Sequence, residues 1–349
     1  MTKQKSRVLI LTDSVGHSFD DSLFPMAVHL SENPLIDAVY VADRADPANA
    51  GFYTNLDVGF NAFSVRKVNA LYAYTTEHDF AAREKITADD FDAVWIRIDH
   101  PVSAEFLGYV RARFPNHFIM NDPQGLIRTM SKEFLPELAH SLGDMIPAAV
   151  LCNTAEEVEA FKGRFSKGVV LKQVLSYGGK GVVRYRDDTD ATELHNKKEV
   201  ADYLAENGMC LVMEYLDPPT EQSDNRVVVM NGEVLCVLKR TPMDGGWLCN
   251  ITSGGSAVND MITQREIDIA KRLDPMMREN GIFLYGVDML LNSKGERVIS
   301  EINTLNVGGM IESELMSGRP LTKMIADALA IIIGARDINA DSKEEMVAA

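Results

Sequence analysis

The run Tyr285–Asn303 reads Y-G-V-D-M-L-L-N-S-K-G-E-R-V-I-S-E-I-N. Two apolar stretches flank a polar Asn-Ser-Lys-Gly turn, the pattern of a β-hairpin. Strand alternation puts Glu301 and Asn303 on one face and turns Ile302 toward the core. Pairing brings Asp288, in the middle of the first stretch, to the same face. Two carboxylates and an amide oxygen are hard ligands in small number. Such a set suits Mg²⁺, whose shell is completed by waters and phosphate oxygens. A solvated hairpin with ordinary surface acids fits the same residues, because Asp and Glu are mostly exposed. The choice turns on whether the rest of the chain can hold a nucleotide.

At 349 residues the chain has room for two or three domains, and 46% hydrophobic with 25% charged residues is a soluble globular composition. A formal net charge of −16 argues against a general grip on nucleic acid or on an anionic membrane. It leaves room for a local basic phosphate pocket. Cys152, Cys210, Cys236 and Cys249 have neither CxxC spacing nor a His pattern. They read as reduced, mostly buried thiols of a cytoplasmic protein rather than a disulfide framework or zinc site. Val8–Leu11 is too short for a signal segment or a membrane span, and Ile325–Ile333 is interrupted by Asp327.

The amino-terminal third alternates strands and helices. Strands are expected at Arg7–Thr12, Ala38–Ala42, Asp92–Ile98 and His117–Asn121, with helices at Ser22–Leu30 and Ser103–Phe114. Residues 43–80 are polar, dotted with aromatics and aperiodic, and read as a long excursion. The pattern implies a small open α/β sheet, in which ligands meet the carboxyl ends of strands. Asp13, Arg97 and Asp99 occupy such ends, and each also suits a loop-end charge facing water. Asn121-Asp122-Pro123-Gln124-Gly125 reads as a turn and a candidate domain boundary.

Thr129–Leu142 then reads as one helix with Lys132 near its start. A helix over Thr154–Phe165 carries a Thr154…Glu157 capping signal. Val169–Val174 is a strand with Lys172 inside it, and Lys is rarely buried without a partner. Ser176-Tyr177-Gly178-Gly179-Lys180-Gly181 follows, then a strand over Val182–Tyr185. The glycines permit backbone N–H groups to cover phosphates. The segment is neither a P-loop nor GxGxxG, and a plain hairpin loop fits it too. Cys210–Leu216 is a strand whose end, near Glu214, can meet a flat base. Asn231-Gly232 between Val227–Met230 and Glu233–Lys239 marks a second hairpin. Met243–Ser256, with Gly245, Gly246, Gly254 and Gly255, has the composition of a mobile loop or lid. A helix over Thr263–Asn280 would bury Ile267, Ala270, Leu273 and Met277. Pro320–Gly334 closes the fold as a helix, followed by a frayed acidic tail.

In order, W-I-R-I-D-H-P (95–101), N-D-P-Q-G-L (121–126), S-K-E-F (131–134), V-L-K-Q-V-L-S-Y-G-G-K-G-V (170–182), M-E-Y-L-D (213–217), D-N-R-V-V-V-M-N-G-E (224–233), K-R-T-P (239–242), N-I-T-S-G-G (250–255) and G-V-D-M-L-L…E-I-N (286–303) resemble the ATP-grasp superfamily. Within it they resemble the bacterial glutathione synthetases. The resemblance implies an α/β fold: an amino-terminal Rossmann-like open parallel sheet (1–125), followed by a two-subdomain ATP-grasp with the nucleotide between two sheets (126–207 and 208–336) and a flexible tail (337–349). It implies a ligase making glutathione from γ-glutamylcysteine, glycine and ATP through an acyl phosphate, with Mg²⁺ or Mn²⁺, in a cytoplasmic homotetramer. By the same resemblance Lys132 and Lys172 contact the phosphates, and Tyr177, Gly178, Gly179 and Gly181 cover them. Glu214, Tyr215 and Leu216 receive adenine, and Asp224 meets the ribose. Asp288, Glu301 and Asn303 hold the metal. Arg240, Asn250, Gly254 and Gly255 steady the acyl phosphate and oxyanion. Asp13, Arg97, Asp99, Asn306 and Gly308 serve the acceptor peptide.

Two departures stand out. Thr304-Leu305-Asn306-Val307-Gly308-Gly309 replaces the Ser-Pro-Thr-like segment usual after Glu-Ile-Asn, and Ser256 stands where an Arg is common. Losing a guanidinium removes a fixed cation and a bidentate donor. A ligase with another carboxylate–amine pair therefore remains an alternative, as does a non-catalytic ATP-binding protein.

Overall fold

The computed structural model describes residues 5–13, 21–72, 83–186, 194–217, 222–244, 246–249 and 254–347, with 336–347 as backbone only. The chain divides into two compact units. One comprises Met1–Ile127, Arg278–Leu284 and Leu305–Ala349; the other comprises Arg128–Met277 and Tyr285–Thr304.

The first unit is built on a six-stranded sheet. Its elements are β1 (Ser6–Thr12), α1 (Leu23–Glu32), β2 (Ile36–Asp43), α2 (Ala50–Tyr53), β3 (Ala62–Lys67), β4 (Glu84–Thr87), β5 (Ala93–Arg97), α3 (Ala104–Arg113), β6 (Phe118–Met120) and α4 (Pro123–Thr129). The strand order is β4-β3-β2-β1-β5-β6. The β2-β1-β5-β6 part is parallel. Its central strand has no accessible surface from Val8 to Leu11, as a parallel strand covered on both faces requires. The expected excursion over 43–80 is instead ordered wherever it is described. Strands β3 and β4 add antiparallel to β2, so the sheet is mixed. Phe52, fully buried, sits among Phe60, Phe63, Phe106, Tyr109 and Phe114 with ring centroids 4.8–6.2 Å away. Its aperiodic aromatics make a local core, worth about 2–3 kcal/mol per buried ring.

The expected turn at 121–125 is the start of α4, and the expected single helix over 129–142 is broken. Helix α5 begins only at Phe134 and ends at Leu142. Between the two helices the Lys132 amide donates to the Val174 carbonyl at 2.9 Å, a tertiary bond that takes it out of any helix.

The second unit carries two sheets. The first joins β7 (Ala149–Cys152), β8 (Val169–Gln173), β9 (Val182–Tyr185) and β10 (Cys210–Glu214) in the order β7-β10-β8-β9, all pairs antiparallel. Helices α6 (Ala155–Lys162) and α7 (Lys197–Asn207) pack with it through Val158, Phe161, Val200 and Leu204. Helix α6 starts with the expected capping box between Thr154 and Glu157. The second sheet orders β11 (Asp224–Met230), β12 (Glu233–Thr241), β13 (Ser256–Asp260), β14 (Leu284–Leu291) and β15 (Arg297–Asn303) as β13-β12-β11-β14-β15. Asn231 and Gly232 take the positive φ values, 52° and 84°, that a two-residue hairpin needs. Strand β13, absent from the sequence reading, pairs with β12 from Thr241↔Ser256 onward. Helix α8 (Gln264–Glu279) buries Ile269 with Ala270, Leu273 and Met277; Ile267, expected on that face, is only half-buried.

Helices α9 (Met310–Ser317) and α10 (Leu321–Val347) return to the first unit, and α10 packs on α1. The backbone of α10 stays helical past Gly334, where the sequence reading ended it. No helix among the described residues is long and apolar enough to cross a membrane.

Candidate active site

The hairpin of β14 and β15 sets Asp288 directly across from Glu301 and Gly286 across from Asn303. The register then shifts, so that Met289 faces Ile299 and Ser300 is skipped. A bulge of this kind frees a backbone carbonyl from the ladder. The Ser300 carbonyl accepts Lys172 Nζ at 3.0 Å. Ile302 is half-buried rather than in the core. Glu301 lies 3.4 Å from Lys132 Nζ, and Asn303 Nδ2 donates to Asp288 Oδ2 at 3.3 Å.

Asp288 is 3% exposed and held by two guanidiniums. Arg226 binds it through Nε and Nη2, each at 2.7 Å, and Arg240 Nη2 lies 3.0 Å away. Burial alone would push the Asp288 carboxyl up, but Arg226 and Arg240 outweigh it and hold the group below the usual carboxylate range. Arg240 also forks onto Asp224, at 2.7 and 2.6 Å. Asp224 moves the other way: burial and the charge of Asp288 keep its carboxyl high despite Arg240. Burial would lower Arg240, yet Asp288 and Asp224 together raise it. Thus Asp224, the expected ribose contact, and Arg240, the expected oxyanion cation, are partners of each other.

The two lysines come from different elements. Lys172 stands on β8, 8% exposed, and burial lowers its ammonium from the usual value while Glu301 opposes the shift. Lys132, in the connector between α4 and α5, donates to the Ser176 carbonyl at 2.6 Å and to Ser176 Oγ at 3.1 Å. It is thereby tied to the first residue of the glycine-rich turn. Gly178, Gly179 and Gly181 all have positive φ. A Cβ on Gly181 would stand 2.3 Å from the Gln173 side chain, so glycine is required there twice over. Tyr177 is exposed, with Lys180 Nζ 4.9 Å from its ring centroid.

Of these groups, Lys172, Gly179, Asp224, Asp288, Ser300 and Glu301 border one open-mouthed pocket with about 730 Å³ of empty volume. Val170, Val182, Met213, Leu216 and Leu290 give it apolar walls; Lys172, Asp224, Asp288 and Glu301 give it charge. Glu214 and Tyr215 border it as well, and Glu214 Oε1 accepts the Ala148 amide at 3.3 Å. An apolar slot beside a cation and paired acids suits a base joined to phosphates. The donors fit a divalent hard cation: two carboxylates and one amide, with phosphate oxygens left to complete the shell. Among the described residues no three His, Cys, Asp or Glu cluster for metal binding, so an all-protein cage is absent there. Asn250 lies outside the described residues. Gly254 packs on Met243, and neither it nor Gly255 borders the pocket.

The remaining candidates belong to the first unit. Arg97 is buried; Nη2 donates to Ser22 Oγ at 3.1 Å and Nη1 to the Val307 carbonyl at 3.4 Å. Burial lowers its guanidinium, against Asp21 and Asp99. Asn306 donates to Asp99. Arg97, Asn306 and Gly308 border a second pocket of about 500 Å³. Asp13 is not with them: it pairs with Arg44, whose Nε stands 2.8 Å away.

Arg226, Ser300 and Trp247 border the site or bind its acids without having been singled out from sequence. Arg226 was within reach, since it lies two residues from Asp224 on one strand and shares its face. The bulge that frees the Ser300 carbonyl and the position of Trp247 have no local sequence signal.

Over residues 137–317 the sequence matches the family described as prokaryotic glutathione synthetase, ATP-grasp domain. It is 28% identical over 263 residues to glutathione synthetase of Citrobacter rodentium, covering 73% of this chain and 78% of that one. With the Escherichia coli K12 glutathione synthetase it shares 27% over 271 residues, 76% of this chain and 81% of the other. Among solved structures, D-cycloserine synthetase DcsG superposes with a TM-score of 0.67 at 13% identity, covering 94% of this chain and all of that one. The VanG D-Ala:D-Ser ligase of Enterococcus faecalis gives 0.58 at 14%, covering 93% and 99%. These likenesses establish the ATP-grasp ligase fold, and the chain belongs to the prokaryotic glutathione synthetase ATP-grasp domain family.

Proposed function

We propose that this protein is an ATP-dependent carboxylate–amine ligase, a glutathione synthase joining γ-glutamylcysteine to glycine. The observation that carries the reading is a single pocket in which Lys172, the glycine turn, Asp288 and Glu301 meet apolar walls. Its support from relatives is the family match and the glutathione synthetases at 27–28% identity.

In this reading the base lies along Met213–Leu216, and Lys172 and Lys132 neutralise the phosphates. Gly178–Gly181 direct backbone N–H groups at them. Asp288, Glu301 and Asn303 would hold Mg²⁺, which would supply positive charge to offset that of the phosphates. The acceptor carboxylate attacks the γ-phosphorus, the bond to the β-phosphate oxygen breaks, and ADP leaves. The incoming amine then attacks the acyl carbon of the acyl phosphate. The amide forms with release of phosphate and of the amine proton. In this reading Arg240 and Arg226, beside Asp288, would offset developing negative charge, and Arg97 with Asp99 would serve the acceptor peptide. Catalysis of this kind is positioning and charge neutralisation.

The test is a turnover assay with Mg-ATP, γ-glutamylcysteine and glycine, scored for phosphate and for product. Product from that pair supports the reading. Turnover only with another pair from a panel of amino acids and γ-glutamyl peptides would replace it with a second reading, a ligase of different substrates. One observation favours that second reading: Ser256 bonds Thr241 hydroxyl to hydroxyl at 2.8 Å, in place of a cation.

A further inference from the structure

Arg184, on β9, is 9% exposed and lies between two aromatic rings. Its guanidinium carbon is 4.7 Å from the Trp247 ring centroid and 5.3 Å from that of Tyr215. Nη1 also donates to the Tyr215 hydroxyl at 3.2 Å. Tyr215 directly follows β10, whereas Trp247 belongs to the connection between β12 and β13. One cation therefore ties a connecting segment of the second sheet to the first sheet. Two residues on, Cys249 is 4% exposed. Trp247 is held against Arg184 and Cys249 is buried, although the composition here reads as a mobile loop. Trp247, Leu248 and Cys249 all border the pocket that holds Lys172 and Asp288. A half-buried indole in a pocket wall offers a flat π face, and a guanidinium stacked on it fixes the orientation of that face.

We infer that Trp247 is a nucleotide-contact residue whose indole forms a wall for the base of a purine nucleotide, with Arg184 as its positioning residue. The inference rests on the reading of this pocket as the nucleotide site. It assigns binding, not chemistry, to Trp247, so its removal weakens nucleotide affinity. Base–aromatic stacking holds the base by its π face, so the loss to expect is about tenfold in affinity.

The experiment titrates Mg-ADP into the full chain by calorimetry and by tryptophan emission. The chain has two tryptophans, and Trp95 is 2% exposed in the other unit. Trp247→Ala is expected to raise the Kd about tenfold and Trp247→Phe to restore most of the affinity. Arg184→Met should weaken binding in the wild-type background and add little in Trp247→Ala. Emission should change on adding Mg-ADP to wild type, and the change should vanish in Trp247→Phe; this readout does not need the alanine variant to fold. Unaltered affinity in a folded Trp247→Ala, additive losses in the double variant, or an emission change that survives Trp247→Phe would each overturn the inference. Wild type that binds no Mg-ADP would instead overturn the nucleotide reading beneath it.

Discussion

Arg226 grips both oxygens of Asp288, Nε on Oδ1 and Nη2 on Oδ2, each at 2.7 Å. A carboxylate assigned to a divalent cation is thus already balanced by a guanidinium. Arg226 keeps Asp288 ionised and oriented inside the fold, and in the proposed site a metal would share that anion.

The sign of the resulting pH dependence follows from the direction of each shift. Asp288 is held below its ordinary value, so as pH falls the unfolded chain takes up this proton first. Its stabilising contribution is complete above about pH 4, the free aspartate value, and is lost in more acid solution. Asp224, held high, acts in the opposite sense. Asp288→Asn removes the first contribution and reduces the second, because the charge of Asp288 helps to hold Asp224 high. In metal-free urea titrations the stability gap between wild type and Asp288→Asn should narrow from about pH 6 to about pH 3. A gap that widens in acid would contradict the pairing. The same variant should need far more Mg²⁺ for turnover.

Lys172→Met tests the buried ammonium. Its stem sits in an apolar strand and its charge costs desolvation, so an apolar side chain of similar length should leave thermal stability unchanged or slightly higher. Ligation should fall at least about a hundredfold, the scale of one lost electrostatic contact to reacting phosphate. Normal turnover would remove Lys172 from the site.

Thiol reactivity should be low. Burial pushes Cys152 up to about 11 and both Cys210 and Cys249 up to about 12, and Cys236 is 5% exposed. Thiolate is then scarce at pH 8, and reagents that trap thiolate should react slowly with the native protein. All 4 cysteines should react after denaturation. A fast-reacting native thiol would contradict the buried assignments.

Two glycine substitutions should split by sign. A Cβ on Gly125 would stand 1.8 Å from the Asn280 carbonyl oxygen, whereas one on Gly108, within α3, meets nothing within 4 Å. Gly125→Ala should cost about 2 kcal/mol or more, because backbone must shift. Gly108→Ala should add about 0.5–1 kcal/mol by helix propensity. Urea unfolding of both variants measures the contrast.

What the sequence reveals is what local pattern controls. The 285–303 hairpin is legible because its turn residues and its two-residue alternation are contiguous. The Thr154 capping box is legible for the same reason. The break between α4 and α5 is not, since it depends on the Lys132 amide finding Val174 across the fold. Strand β13 is short and lies at a sheet edge, so its pattern is weak. Ile269 rather than Ile267 enters the core because the packing of α8, not its average period, sets the phase. The ion pairs of Arg226 and Arg240 join positions up to 62 residues apart, and no motif spacing encodes them.

The contact of α10 with α1 has a consequence for how the chain is made. Asn33 Nδ2 reaches Asp327 Oδ1 at 2.9 Å across 294 residues of sequence. During synthesis Met26, Ala27 and Leu30 of α1 emerge long before α10 can cover their helix. Residues 128–277 are translated in that interval, and they contain most of the second unit. Most of the second unit is therefore made before α10 can cover α1, and the apolar face of α1 is meanwhile a surface that folding chaperones can bind.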